Sequence, residues 1–146
     1  MSSLKEKLFP EWINDSEEKI CERIWRHPHN VKYVAYPSEK MQLTVISYNK
    51  RFIKYIRNPI ENVQLKAVRF DGLLIQDIHN PTKKVQLAAI ENDPRSIEYI
   101  RNPSEDIQME AIIKSNFDPD IILHCPDWRK LWDKIQDLAT IKDIIE

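Results

Sequence analysis

The chain has 146 residues and a net charge of -1, from 22 basic and 23 acidic residues. A chain of this length buries enough surface to fold as one domain, and its balanced charge excludes a global positive field that would steer it to nucleic acid or an anionic membrane. The single glycine, Gly72, argues against glycine-rich phosphate loops and tight β-hairpins. We therefore expect a single all-α domain over residues 1–146.

Charge is distributed unevenly along this chain. Residues 31–58 carry six Lys or Arg against one Glu, whereas residues 103–125 carry one Lys against five acids. Such asymmetry indicates either a partner surface or an ordinary solvated face. The two cysteines, Cys21 and Cys125, lie about a hundred residues apart, and no signal-like or long apolar segment occurs. We expect free thiols, a cytoplasmic location and no membrane contact.

In chain order, an N-terminal cap over residues 1–14 is followed by a degenerate unit over residues 15–36, whose "VKYVAY" matches later units. Prolines at 37, 59, 81 and 103, each 22 residues apart, then open four regular units. These units span residues 37–58, 59–80, 81–102 and 103–125. A fixed period of this kind is the signature of a stack in which each unit packs on its neighbours.

Each unit predicts an α-helix of about a dozen residues, a polar corner, and a segment of six or seven residues that forms a short α- or 3₁₀-helix. Asn58, Asn80 and Asn102 are predicted N-caps, each followed by proline at the first helical position. Two isoleucines of each short segment, such as Ile97 and Ile100, should point inward.

A glutamine recurs inside the apolar run of every regular unit, at Gln42, Gln64, Gln86 and Gln108. Projected at about 100° per residue, each lies opposite a mostly polar stripe such as Lys84, Ala88 and Glu91, in the middle of the buried arc. An unpaired buried amide is costly, so we predict a hydrogen bond to the backbone of a corner or short segment. These residues, called here the seam glutamines, are predicted to be structural.

Residues 126–146 predict an amphipathic helix that seals the end of the stack. Its apolar positions fall at spacings of three and four residues: Trp128, Leu131, Trp132, Ile135, Leu138 and Ile141. Trp12 and Trp25 also lie outside the regular units. Terminal elements of a stack differ from the repeats because one face has no neighbour.

The pattern N-P-S-x-x-V-Q-L-x-A-V with a following I-x-Y-I, over about residues 31–125, resembles tandem short helical repeats of uncharacterised bacterial and bacteriophage proteins. It is less closely similar to leucine-rich-variant and HEAT-like repeats. The resemblance implies a right-handed α-solenoid of about five 22-residue units with dissimilar caps, in a bacterial or phage-infected cell. It implies no catalytic residues. The register departs from the pattern after Asn116, with one extra residue before Pro126.

Two columns of side chains recur in the short segments and form the candidate partner-binding site. The tyrosine column contains Tyr33, Tyr55, Asp77 and Tyr99, and the arginine column contains Ala35, Arg57, His79 and Arg101. Tyrosine and arginine are favoured in binding hot spots. Alternatively, the tyrosines pack against neighbouring units and Asp77 pairs with Arg57 or Arg101.

We therefore expect a non-enzymatic protein-interaction module, such as a phage-encoded adaptor or inhibitor of a host defence protein. The alternative is binding of a nucleic-acid backbone through a basic cluster in the first units: Lys32, Lys50, Arg51, Lys54 and Arg57. The sequence does not distinguish a monomer from a homodimer.

Catalysis and metal binding are the weaker interpretations. Asp77 beside His79 suggests a general base, but no nucleophile or second acid accompanies them. Cys21, His27, His29, His124 and Cys125 are zinc-ligand types, yet a stack would separate the two cysteines by several helix diameters. We expect no enzyme activity, no cofactor and no metal.

Overall fold

The computed structural model describes residues 14–131, 133–134 and 136–137, and its elements are all helical, with no β-strand in these ranges. The all-α class is thereby confirmed. Five α-helices occupy the first parts of the units: α1 Glu17–Arg26, α2 Glu39–Tyr48, α3 Glu61–Val68, α4 Lys83–Asn92 and α5 Glu105–Lys114. Four 3₁₀-helices follow the first four: η1 Pro28–Tyr33, η2 Lys50–Tyr55, η3 Gly72–Asp77 and η4 Pro94–Tyr99. A short helix, α6 Pro119–Leu123, follows α5.

Each element packs against its equivalent in the next unit. The α-helices from α1 to α5 contact one another in sequence, and so do the 3₁₀-helices from η1 to η4. Helix α6 contacts both α5 and η4, so it lies where a further 3₁₀-helix would otherwise be. The alternation of α-helix and short helix is therefore repeated in space as well as in sequence.

The polar corners are built by one recurring hydrogen bond. Asn49, Asp71 and Asp93 each accept, through side-chain Oδ1, the backbone N–H two residues ahead, at 2.9 to 3.1 Å. These residues are the N-caps of η2, η3 and η4. A short polar side chain at this point satisfies a backbone donor that the 3₁₀-helix leaves free.

The predicted N-caps of the α-helices are wrong. Asn58, Asn80 and Asn102 have φ of 53°, 51° and 49°, so they are left-handed turn residues. The α-helices begin two residues after the proline, and Thr82 caps α4 by accepting the Val85 N–H at 3.4 Å. Asparagine suits both roles, because its short polar side chain tolerates the left-handed region and also caps helices.

The core consists of aliphatic side chains from both kinds of helix. The inward direction of the paired residues in the short segments is confirmed, since Ile97 and Ile100 are buried, as are Ile53 and Ile56. Within the predicted solvent stripe, Lys84 and Glu91 are exposed but Ala88 is buried, because α4 has a neighbouring α-helix on each side.

Gly72 is required for a close approach between two units. A Cβ at this position would lie 2.5 Å from the Ala89 carbonyl oxygen and 2.8 Å from Ser96 Oγ. The Gly72 N–H is also held by Asn92 Oδ1 at 2.6 Å. The only glycine of the sequence thus serves close packing and not a left-handed turn.

The last unit departs from the others where the sequence loses register. Helix α5 ends at Lys114, and Asn116 shortly after it has a φ of 54°. The N–H of Asn116 donates to the Ile113 carbonyl, and the N–H of Phe117 donates to the Ile112 carbonyl. This is the Schellman arrangement that ends many helices. It replaces the corner of the other units and leads into α6.

The predicted C-terminal helix is helical where it is described, from residue 128 to residue 137 with gaps. Leu131 is fully buried, and Trp128 packs against the core. The side chains of Trp132, Ile135, Leu138 and Ile141 lie outside the described residues, as do Trp12 and nearly all of the predicted cap over residues 1–14.

Candidate functional site

The seam glutamines bind the start of their own unit, and two of them also reach the segment that follows. Each donates from Nε2 to the carbonyl of the proline five residues before it, as Gln42 does to Pro37 at 2.9 Å. Gln42 Oε1 then accepts the N–H of Ile60, 18 residues ahead and in the next unit, at 3.0 Å. The predicted backbone hydrogen bond exists, but its acceptor is the proline carbonyl, not the corner or short segment.

The last unit has the same kind of bridge, although one extra residue precedes Pro126. Gln108 donates to the Pro103 carbonyl at 2.9 Å, and its Oε1 accepts the N–H of Asp127, 19 residues ahead, at 2.9 Å. Gln108 Nε2 also donates to Asp127 Oδ2 at 3.0 Å. Two of the four seam glutamines therefore tie their unit directly to the next.

In the described part of the chain, the other two seam glutamines form no hydrogen bond with the unit that follows. Gln64 and Gln86 donate to the Pro59 and Pro81 carbonyls at 2.6 and 3.0 Å. Gln64 Oε1 is buried without a hydrogen-bond partner, and Gln86 Oε1 has none among the described residues. Gln86 is also the one seam glutamine that is half-buried, since the other three are buried.

A pocket of about 390 Å³ lies beside Gln86, between residues 59–80 and 81–102. It brings together three predicted site residues, His79, Tyr99 and Arg101, with Gln86. Further lining comes from Gln76, Ile78, Asn80 and Pro81. Asp77, the neighbour of His79 in the predicted site, is absent from the lining.

The Asp77 carboxyl lies near Lys54. Burial raises the pKa of the Asp77 carboxyl above its usual range, and the nearby Lys54 charge opposes that rise. No ion pair joins Asp77 to Arg57 or Arg101 in the described structure. The Asp77–Arg pairing offered as an alternative in the sequence is therefore wrong.

The remaining predicted partner-binding residues lie in the first units. Tyr33 and Tyr55 are half-buried, each beneath a lysine, with Lys32 Nζ 4.9 Å and Lys54 Nζ 5.3 Å from the ring centres. Arg57 is exposed. The two columns are thus divided between this region and the pocket.

A continuous run of aromatic rings crosses the first two units. Trp25 meets Tyr48 edge to face at 6.2 Å, and Tyr48 stacks on Phe52 at 5.9 Å with 9° between the planes. Phe52 contacts Tyr55 at 5.4 Å, and Tyr55 contacts His29 at 6.5 Å. We call these five residues the aromatic surface.

The aromatic surface is exposed at one end. Trp25 and Tyr48 are each 57% exposed, although large aromatic side chains usually bury most of their area. Phe70, 22 residues after Tyr48, is 61% exposed and lies 5.5 Å from Lys50 Nζ. Four of these residues were not among the predicted site residues: Trp25, Tyr48, Phe52 and Phe70. The 22-residue interval between Tyr48 and Phe70 was a visible signal for those two.

The predicted basic cluster adjoins the aromatic surface and keeps most of its charge free. Arg51 pairs with Asp71 at 3.8 Å, but the other four members have no ion-pair partner in the described part of the chain: Lys32, Lys50, Lys54 and Arg57. By contrast, lysines of the C-terminal units are paired, as Lys83 is with Asp106 and Lys84 with Glu61. Positive charge is therefore concentrated beside the exposed rings.

The zinc-ligand residue types do not form a site within the described ranges, where no cluster of three or more His, Cys, Asp or Glu is arranged to hold a metal. Cys21 and Cys125 are both free and buried. Burial raises the pKa of the Cys125 thiol to about 11, so it stays protonated and unreactive near neutral pH.

Comparison with protein-family models, curated proteins and solved structures gives no match for the chain. Within the described residues, every helix is too short or too polar to cross a lipid bilayer. Function is accordingly argued from the surfaces above: the aromatic surface with its cations, and the pocket at His79, Tyr99 and Arg101.

Proposed function

We propose that the chain is a non-enzymatic protein-binding module, built as a right-handed α-solenoid of about five 22-residue units with dissimilar ends. The contacts between successive α-helices and between successive 3₁₀-helices support this architecture. So do the glutamine bridges at Gln42 and Gln108, each of which joins its unit to the segment that follows. A stack of this kind presents a rigid, extended surface to a partner.

The observation that carries the proposal is the aromatic surface. Isolated exposed aromatics are ordinary, but Trp25, Tyr48, Phe52 and Tyr55 are in ring-to-ring contact, and the first two expose more than half of their area. Contiguous exposed aromatic area marks binding surfaces, and tryptophan and tyrosine dominate binding hot spots. The rings stay in water unless a partner covers them.

The unpaired cations define the chemistry of that partner. Four basic residues of the first units form no ion pair with a described carboxylate: Lys32, Lys50, Lys54 and Arg57. Lys54 meets the aromatic surface, with its Nζ 5.3 Å from the centre of the Tyr55 ring. A protein whose contact surface combines apolar side chains with Asp or Glu matches both features. The partner is a host protein, and the module acts as a cytoplasmic adaptor or inhibitor in a bacterial or phage-infected cell, as the repeat resemblance implies.

A pull-down from nuclease-treated host lysate tests the proposal with two matched variants. Trp25→Ala/Tyr48→Ala removes the exposed rings of the aromatic surface, and Tyr36→Ala/Leu123→Ala removes two isolated side chains that are 93% and 79% exposed. We expect one or more proteins to be recovered by the wild type and by the second variant, and to be lost with the first. Equal recovery by both variants would reject the aromatic surface as the binding site.

Nucleic-acid binding is the second candidate, favoured by the same unpaired cations beside aromatic rings. Single-stranded nucleic acid binds through stacked bases and a charged groove. Affinity for a labelled oligonucleotide should then fall with salt, at a logarithmic slope of about -0.7 per phosphate contact. A flat salt response, or no binding at low salt, would eliminate this candidate and leave protein binding.

A further inference from the structure

We infer that the pocket between residues 59–80 and 81–102 binds an oxyanion, either a carboxylate or a phosphate. Its polar lining consists of Gln76, His79, Asn80, Gln86, Tyr99 and Arg101. No carboxylate is among the described residues that line it. This site is separate from the aromatic surface, so the two assignments fail or succeed independently.

Every polar side chain of the lining offers a hydrogen-bond donor. Arg101 carries a permanent charge and a planar fork of N–H groups that matches an oxyanion. His79 has at least one N–H in either protonation state, and Tyr99 has a hydroxyl. Gln86 uses Nε2 to bond the Pro81 carbonyl at 3.0 Å, and the amide group carries a second N–H.

The charge of Arg101 is not neutralised by the protein. No described carboxylate lies within ion-pair distance of Arg101 or His79, although several other cations of the chain are paired. Asp77, two residues before His79, is not among the residues that line the pocket. A positive, donor-rich cavity with no internal acid is suited to an anion from outside.

Differences at other places in the stack explain why we assign an anion site to this pocket alone. The position of Tyr99 is occupied in the preceding unit by Asp77, so a carboxylate stands where the pocket has a hydroxyl. At the last junction, Asp127 closes the seam by two hydrogen bonds to Gln108. Of the three places compared, the pocket at Gln86 therefore has neither a glutamine bridge nor a carboxylate in its described lining.

Titrations followed by residue-resolved amide NMR at constant ionic strength test this assignment. The probes are inorganic phosphate and the α-carboxamides of N-acetylglutamate and N-acetylglutamine. With the α-carboxyl blocked, the glutamine compound is neutral, so the pair isolates the effect of the side-chain carboxylate. We expect saturable shifts of the amides at 79, 80 and 101 with one or both anions, and none with the glutamine compound. Tighter binding of the glutamate compound would identify a protein carboxylate as the ligand, and tighter binding of phosphate would identify a free or esterified phosphate.

The matched variants are Arg101→Gln and Arg69→Gln, which each remove the charge of one exposed arginine, only the first of which lines the pocket. Arg101→Gln should weaken anion binding about tenfold or more, because a charged hydrogen bond is lost, while Arg69→Gln should leave it unchanged. Circular dichroism checks that both variants fold. No saturable shift with either anion, equal shifts with the neutral amide, or equal affinities of the two variants would overturn the inference.

Discussion

Gln108 and Asp127 are joined by two hydrogen bonds across the last junction, one from the Asp127 N–H to Gln108 Oε1 at 2.9 Å and one from Gln108 Nε2 to Asp127 Oδ2 at 3.0 Å. The same Nε2 also reaches the Pro103 carbonyl. One buried side chain thus serves its own unit and the C-terminal segment together. Because all of its polar atoms are satisfied, Gln108 costs little to bury.

Replacing Gln108 with leucine should lower the free energy of unfolding by about 1–3 kcal/mol, because the Pro103 carbonyl and the Asp127 N–H lose their partner. Gln86→Leu is the matched comparison, since Gln86 is half-buried and bonds only the Pro81 carbonyl. Its cost should be smaller. Urea denaturation measures both, and a larger loss for Gln86→Leu would contradict the bridging role of Gln108.

The Gln108–Asp127 bonds also predict a dependence of stability on pH. Hydrogen bonds from Gln108, and then from Lys130, lower the pKa of the Asp127 carboxyl below its usual range. The depressed folded-state pKa means that the stabilisation is complete above about pH 5 and is lost as pH falls through the folded-state value. The stability difference between the wild type and Asp127→Asn should therefore shrink as pH falls below about 4. In a Gln108→Leu background the difference at neutral pH should be smaller, and an unchanged difference would contradict this origin.

Gly72→Ala should destabilise the protein by about 1–3 kcal/mol, because the added methyl group overlaps the Ala89 carbonyl oxygen at 2.5 Å. Lys50→Ala, at the equivalent position of the preceding unit, is the control because it removes side-chain atoms and adds none. Thermal unfolding of the two variants provides the comparison. If Gly72→Ala proves as harmless as Lys50→Ala, the close approach of these units is wrong.

Thr82→Ala should cost about 1 kcal/mol through loss of the α4 cap. Thr82 Oγ1 also donates to Glu61 Oε2 at 2.8 Å, so the comparison is made in a Glu61→Ala background, which removes that bond from both proteins. Thr82→Ser should retain the cap and the stability. If Thr82→Ala leaves the stability unchanged in this background, Thr82 does not cap α4, and Asn80 becomes the candidate cap again.

Periodicity made the repetitive features predictable from the sequence. The 22-residue interval and the apolar spacing were enough to identify the buried isoleucines and the buried arc of the seam glutamines. The N-caps were misassigned because Asn-Pro is compatible with a cap and with a left-handed turn, although Ser38 and Thr82, directly after the prolines, were available caps.

The candidate surfaces depend on residues that differ between units, whereas a repeat pattern describes only what the units share. Tyr48 and Phe70 occupy one repeat position with aromatics, but whether their rings are covered depends on the neighbouring unit. The pocket at Gln86 has neither a bridge like that of Gln42 and Ile60 nor a carboxylate at the position of Tyr99, where the preceding unit has Asp77. Such properties belong to pairs of units, so no single stretch of sequence predicts them.

The most direct test of the central claim is calorimetric titration of the purified partner, once recovered, against the wild type and the two surface variants. Trp25→Ala/Tyr48→Ala should weaken binding tenfold or more, since hot-spot aromatics each contribute about 2 kcal/mol or more. Tyr36→Ala/Leu123→Ala should bind like the wild type. Equal dissociation constants for all three proteins would contradict protein binding through the aromatic surface.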